Sequence, residues 1–179
     1  DPPLERDHDA PAEDLLVHAA NLDRNVQLRS ESGEIPRRAH VMFMHTHDVD
    51  CRHVRIPRLG RTNKRVQVDD WFFPNLDAGL AAPGPATNRR GRYSVHFHRG
   101  GVDPSAPGAG RIEGCVVEDD PGWAYANHSA FVHFDNNISY NVIGGGFQTE
   151  AGDELGSFTT NIAIRTVTTA FPLRDAAPA

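Results

Sequence analysis

Lysine occurs once in this chain of 179 residues, at Lys64, and cysteine only twice, at Cys51 and Cys115. With no lysine run and a formal charge of −6, from 24 acids against 18 bases, the chain lacks the basic stripe that nucleic-acid binders carry, so nucleic acid is not an expected partner. The two cysteines lie 64 residues apart in strand-like surroundings, which encodes neither a zinc ribbon nor a dense disulfide framework. Two buried thiols are expected, with a disulfide between neighbouring rungs as the alternative. Neither a membrane-spanning segment nor a signal peptide is recognisable in this sequence. The chain opens on Asp1-Pro2-Pro3 rather than on methionine, and no capping element is recognisable at either end. It is therefore expected to be part of a longer protein with neighbouring domains.

What is present is a repeat. Leu22-Asp-Arg-Asn25-Val26-Gln-Leu28, Phe134-Asp-Asn-Asn137-Ile138-Ser-Tyr140 and Phe158-Thr-Thr-Asn161-Ile162-Ala-Ile164 share one spelling, and Ile112-Glu-Gly-Cys115-Val116-Val-Glu118 repeats it with Cys in place of Asn. From 115 to 137 to 161 the steps are 22 and 24 residues, a period expected of one coil of a solenoid. Apolar residues alternate over only three or four positions before Gly, Asn or polar residues intervene, which predicts short strands and no helix. An Asn recurring at one point of successive coils can satisfy buried donors and acceptors by stacking its amide on its neighbours. The expected fold is all-β, a right-handed parallel β-helix in one domain, to which an apolar content of 39% is suited. Asn-marked turns between antiparallel strands of a sandwich are the alternative.

Residues 1–14, rich in Pro, Asp and Glu, read as an extended arm or linker. The solenoid is expected over 15–170, with Val49 to Ile56 as its second coil and His53 at the Asn position. Between about 60 and 91 the periodicity lapses into a Pro/Gly/Ala-rich stretch, an inserted loop of the length that often carries function. Residues 171–179 form a small-residue tail.

The chemistry is concentrated in ten histidines. His40, His45, His47 and His53 form one cluster, His96 and His98 another. On a strand, residues two apart share a face, so His45 with His47, or His96 with His98, could offer two imidazoles to one metal. A third group has to come from a neighbouring coil. His128 and Glu150 are the candidates, because the segments beginning at Gly122 and Gly146 should stack. Val95 and Phe97 are the natural inward residues, which turns His96 and His98 outward, and Phe147 turns Gln148 and Glu150 outward by the same parity. Such a row makes a shallow groove suited to a linear polysaccharide. Zinc or another transition ion would suit His-x-His with Glu, and the same groups could act as general acid and base without metal. The acidic stretch Glu150-Ala-Gly-Asp153-Glu154 offers carboxylates for calcium but lacks the spacing of a calcium loop. His-x-His also touches the cupin pattern, a jelly-roll metal site, although the following Glu of that pattern is missing from Arg99-Gly-Gly-Val-Asp103.

Gly91-Arg-Tyr-Ser-Val-His-Phe-His98, Gly114-Cys-Val-Val117, Asp135-Asn-Asn-Ile-Ser-Tyr140 and Gly144-Gly-Gly-Phe-Gln-Thr-Glu150 together resemble the β-helix region of the cell-migration-inducing and transmembrane hyaluronidases and their bacterial relatives. The resemblance covers roughly residues 15–166, and Tyr-x-x-His-Phe-His is its most specific element. It departs from the animal pattern at Ser94, where that pattern has Pro, and in the insertion at 60–91. It implies a right-handed parallel β-helix in an extracellular or cell-surface protein that binds or depolymerises hyaluronan. Arg92, His96, His98 and Glu150 are the positions that match the shared motif, while Asp119 and His128 are added by stacking alone.

As an enzyme, the chain would act on an acidic polysaccharide through His96, His98, His128 and Glu150. Arg61, Arg92 and Arg99 would pair uronate carboxylates, and Asp119 and Trp123 would add binding contacts. Hydrolysis wants a second carboxylate, whereas a lyase wants a base beside the uronate. The competing class is a noncatalytic module that binds glycan or protein in the same groove, with Trp123 and Tyr125 either offering flat faces to sugar rings or packing in the core.

Overall fold

A computed structural model of the chain describes residues 12–13, 17–75, 80–105 and 108–167. The N-terminal arm lies almost wholly outside the described residues, and the tail lies outside them entirely. Among the described residues the protein is all-β, apart from one 3-10 turn at Ile35–Arg37. No helix there is long and apolar enough to cross a membrane.

Fourteen strands follow in order: β1 (Val26–Gln27), β2 (Val41–Met44), β3 (Asp50–Arg52), β4 (Val54–Pro57), β5 (Trp71–Asn75), β6 (Leu80–Pro83), β7 (Val95–Gly101), β8 (Gly110–Glu113), β9 (Val116–Glu118), β10 (Tyr125–Asp135), β11 (Ile138–Tyr140), β12 (Phe147–Thr149), β13 (Leu155–Thr159) and β14 (Ile162–Ile164). One parallel sheet runs β1-β4-β9-β11-β14. A second is organised on β10, whose first half pairs in parallel with β7 and β12 and whose second half pairs with β8 and β13. These sheets are not the antiparallel pairing of a cupin jelly roll. Among the described residues the only antiparallel pair, β5 with β6, is a hairpin inside the 60–91 insertion.

Alternation along these strands puts one face into a common core. Val95 and Phe97 of β7, Tyr125, Val132 and Phe134 of β10, and Ile112 of β8 are buried to 3% exposure or less. Rings stack from strand to strand: Phe43 on Phe97 at 4.8 Å, Tyr125 on Phe147 at 4.9 Å and Phe134 on Phe158 at 4.9 Å. The fully buried rings among them, Phe97, Tyr125 and Phe134, each contribute roughly 1.5–3 kcal/mol by burial. Cys115 lies in this core with Cys51 beside it, and both are free thiols with Sγ atoms 3.9 Å apart.

Between strands the backbone turns through left-handed residues that align in columns. His53, Gly114, Asn136 and Thr160 share one level, Arg58, Asp119, Asn141 and Arg165 a second, and His45, Arg99 and Ser129 a third, all with φ between 51° and 62°. A non-glycine residue in this region costs on the order of 1 kcal/mol, so the recurrence marks fixed corners.

The Asn repeat is real between β9 and β14. Asn137 Oδ1 accepts from Cys115 N at 2.9 Å while its Nδ2 donates to Ile112 O, and Asn161 repeats this on Asn137 N and Phe134 O. Each amide thus bonds the backbone of the preceding rung, not the next amide. The earlier copies are out of step. Val54 pairs with Val26, and Arg55 with Val116, so His53 and Asn25 are level with Gly114, one residue before Cys115. The Asn position expected of His53 falls to Val54, because the 60–91 insertion separates the two halves and no repeat constrains the register across it.

Candidate functional site

The outward face of β7 carries the candidate site. His96 and His98 alternate with the core residues Val95 and Phe97, so both imidazoles leave the core side of the sheet. Parallel register sets His98 beside His128 of β10, and the next pairing sets Glu150 one residue beyond the match of Asn127 with Thr149. His98, His128 and Glu150 therefore form one row across three adjacent strands, with His96 on the row next to it.

His96 faces outward yet is only 1% exposed, because the end of the 60–91 insertion folds over it. Thr62 Oγ1 donates to Arg89 O and accepts from Arg92 N, and Asn88 ties Asn63, Val66 and Gln67 together through its side-chain amide. This closure delivers Gly91, whose carbonyl lies 2.9 Å from His96 Nδ1. A carbonyl only accepts, so Nδ1 carries the proton and Nε2 presents its lone pair when the ring is neutral. A side chain at Gly91 would press on the His96 ring.

Nε2 of His96 lies 3.0 Å from Glu150 Oε2, and His128 Nδ1 lies 3.4 Å from the same oxygen. The His96 contact is close but lacks hydrogen-bond alignment, and His96 Nε2 and His98 Nδ1 are both buried without a partner. A lone pair and a carboxylate oxygen repel at that distance unless a cation, proton or metal, lies between them. One ligand nitrogen from each of His96, His98 and His128 falls within 4.8 Å of the others. Three imidazoles with a nearby carboxylate match the donor set of zinc or another imidazole-binding transition ion, whereas calcium takes oxygen ligands.

The electrostatics favour an ionised acid beside the imidazoles. Burial, then His128 and His96, push His98 below the usual histidine value. Burial works to raise the Glu150 carboxyl, but His96, His128 and Lys64 outweigh it and hold it below the ordinary glutamate value. Burial and the Glu150 charge keep the Tyr93 hydroxyl protonated, 3.5 Å from Glu150 Oε1. The turn that presents Glu150 is fixed by Glu154, whose carboxylate accepts from the backbone N–H of residues 150, 151 and 152. Although part-burial opposes it, that set of donors lowers Glu154 to about 2. Glu154 is thereby consumed by the backbone rather than offered to calcium.

His96, His98, His128 and Glu150 are brought together. Arg61 and Arg92 lie close enough to His40 to depress it, after burial, to about 4, together with His96. Arg92 is itself lowered by burial and by Arg61 and Arg89. Arg99 stands at the corner after His98 and weighs on its charge. Other expected residues are elsewhere. His45 is itself a left-handed corner, which carries the chain away from this row, and His47 beyond it lies 3.0 Å from Gly100 O. Neither joins the imidazole cluster among the described residues. Asp119 occupies another corner, bonded to Asn141, and lines a pocket of about 260 Å³ with Arg38 and Arg58. Tyr125 is core, while Trp123 is half-buried on Tyr93.

Lys64 and Tyr93 were not singled out from sequence. Lys64 Nζ sits 3.8 Å over the Trp123 ring and contributes positive charge to Glu150. Its position in the insertion, ahead of the strand that carries the histidines, gives no spacing signal. Tyr93 lies within the Tyr-x-x-His-Phe-His element, and that adjacency could have pointed to it.

Scans of this chain against protein-family models, curated proteins and solved structures find no match.

Proposed function

We propose that the chain is a carbohydrate-active protein, extracellular or on the cell surface, that binds and depolymerises an acidic polysaccharide such as hyaluronan across the outward row of His98, His128 and Glu150. We read its parallel ladders as coils of a right-handed parallel β-helix. Steps of 22 and 24 residues between paired Asn rungs and the three columns of left-handed corners support that winding. The observation that carries the functional reading is the convergence of two imidazole nitrogens, His96 Nε2 and His128 Nδ1, on one Glu150 oxygen, with the unpartnered Nδ1 of His98 buried in the same cluster.

A substrate carboxylate is to be paired by Arg61 and Arg92, which bring positive charge to His40 and have no ion-pair partner of their own among the described residues. Among the described residues Glu150 is the one carboxylate in contact with the imidazoles, and Glu154 is held by backbone donors. Hydrolysis by paired carboxyl groups roughly 5–9 Å apart is poorly served by this set. Elimination needs a base near the sugar carbon next to the uronate carboxylate, and His128, with 28% of its side chain exposed against 2% for His96, is open to it. It takes that proton, the neighbouring carbon–oxygen glycosidic bond breaks, and the leaving oxygen is protonated by water. Glu150 steadies His128, as the Gly91 carbonyl steadies His96. A metal held by His96 and His98 would supply positive charge to the uronate carboxylate, with the His128 lone pair left free to act as the base.

The test is incubation with hyaluronan, chondroitin, pectate and alginate, with and without chelator, with products read by mass and ultraviolet absorbance. Unsaturated oligosaccharides from at least one polymer, lost in Glu150→Gln, are expected. A folded protein that yields no product from any of them, with or without added transition metal, would overturn catalysis at this site.

A further inference from the structure

The chain contains two methionines, Met42 and Met44, and both are on β2. Parallel pairing sets Met42 beside His96 and Met44 beside His98, while Phe43 between them stacks on Phe97 in the core. Side chains on one face of adjacent strands stand about 4.8 Å apart. The row of His98, His128 and Glu150 thus begins at Met44. Met42 stands on the neighbouring row, its Cε close to Gly91 at the Cε1–Nδ1 edge of the His96 ring.

Core packing does not account for these thioethers. Val41 and Phe43 supply the inward residues of β2, and Met44 is 50% exposed. A large apolar side chain in water gains little there. Thioether sulfur is a soft ligand, and with imidazole it favours Cu(I) over harder ions. The buried nitrogens without partners, His96 Nε2 and His98 Nδ1, supply the other half of such a set.

Building on the reading of His96 and His98 as a metal centre, we propose that this centre is a copper site. It takes Cu(I) through its imidazoles, with Met44 as a thioether ligand and Met42 closing the His96 side. The soft edge lies on β2 and the hard edge at Glu150, so one row discriminates between ions by the end at which they are held.

The experiment uses the whole chain with Cys51→Ala as background, because the half-buried Cys51 thiol is a competing soft ligand. Cu(I) affinity is measured under ascorbate without oxygen by competition with bicinchoninate, and Co(II) affinity by its visible spectrum. X-ray absorption of the Cu(I) form reports whether sulfur is bound. Met44→Leu is expected to weaken Cu(I) by roughly tenfold or more, to move Co(II) far less, and to remove sulfur from the copper shell. His98→Ala should remove both ions. If Met44→Leu leaves Cu(I) affinity and the absorption spectrum unchanged while Co(II) still binds through His98, the thioether proposal falls and the imidazole centre stands. If neither ion binds and His98→Ala changes nothing, the metal centre itself falls.

Discussion

Two stacks of side chains run across the strands of this protein, and they have been completed to different degrees. In the Asn column, Asn137 and Asn161 each use both ends of the amide, accepting from one backbone N–H and donating to one carbonyl of the preceding rung. In the histidine row, register is equally regular, yet His98 Nδ1 is buried with no partner, and on the neighbouring row His96 Nε2 meets the Glu150 carboxylate without a hydrogen bond. Buried polar groups are normally paired, because leaving one bare costs about 1–3 kcal/mol. A saturated stack is therefore architecture, and an unsaturated one keeps places for something that binds.

The contrast breaks most visibly at Asn137. Asn137→Ala leaves Cys115 N–H and Ile112 C=O buried and unpaired, an expected loss of about 3 kcal/mol. Urea denaturation measures it. Asn161→Ala should lose less, because Asn161 is only half-buried. Equal and negligible losses would mean that the column is decoration.

Glu154 sharpens the comparison, since it is a saturated carboxylate beside the unsaturated row. Removing its backbone contacts in Glu154→Ala is expected to cost roughly 1–2 kcal/mol and to loosen the turn that aims Glu150. The pH dependence has a definite sign. Its folded value of about 2 lies below the ordinary 4.5, so its stabilisation is complete above that ordinary value and fades as pH falls toward 2. Thermal melts of wild type and Glu154→Ala should therefore differ at neutral pH and converge in acid. A gap that persists in acid would assign the effect to packing instead.

How much of this could be read from the sequence follows the same division. The ladder from Cys115 through Asn137 to Asn161 was legible because identical residues meet on neighbouring rungs and the spacing between them is short. Asn25 and His53 looked like earlier copies but sit one residue out of register. No local pattern fixes pairing across a 30-residue insertion. Parity alone gave the outward direction of His96, His98 and Glu150, and stacking gave His128. Burial of His96 escaped sequence reading, because it depends on Gly91 and the insertion folding back over an outward face. Lys64 and the methionines escaped it as well, since their roles arise only from strands that are distant in sequence and adjacent in space.

The smallest expected change in stability belongs to the row itself. His98→Ala deletes a ring whose Nδ1 has no partner to lose, and His98 is half-buried on an outer face rather than in the packed core. Its unfolding free energy should stay within about 0.5 kcal/mol of wild type in the metal-free protein. Ligand linkage reverses this when metal is present. At a concentration about 100 times its dissociation constant, a metal that binds only the folded chain adds roughly 2.7 kcal/mol to wild type, and His98→Ala should gain none of it. Melting curves of both proteins with and without Co(II) test this directly. A large loss in His98→Ala without metal would show that the imidazole was structural all along, and the row would then differ from the Asn column only in appearance.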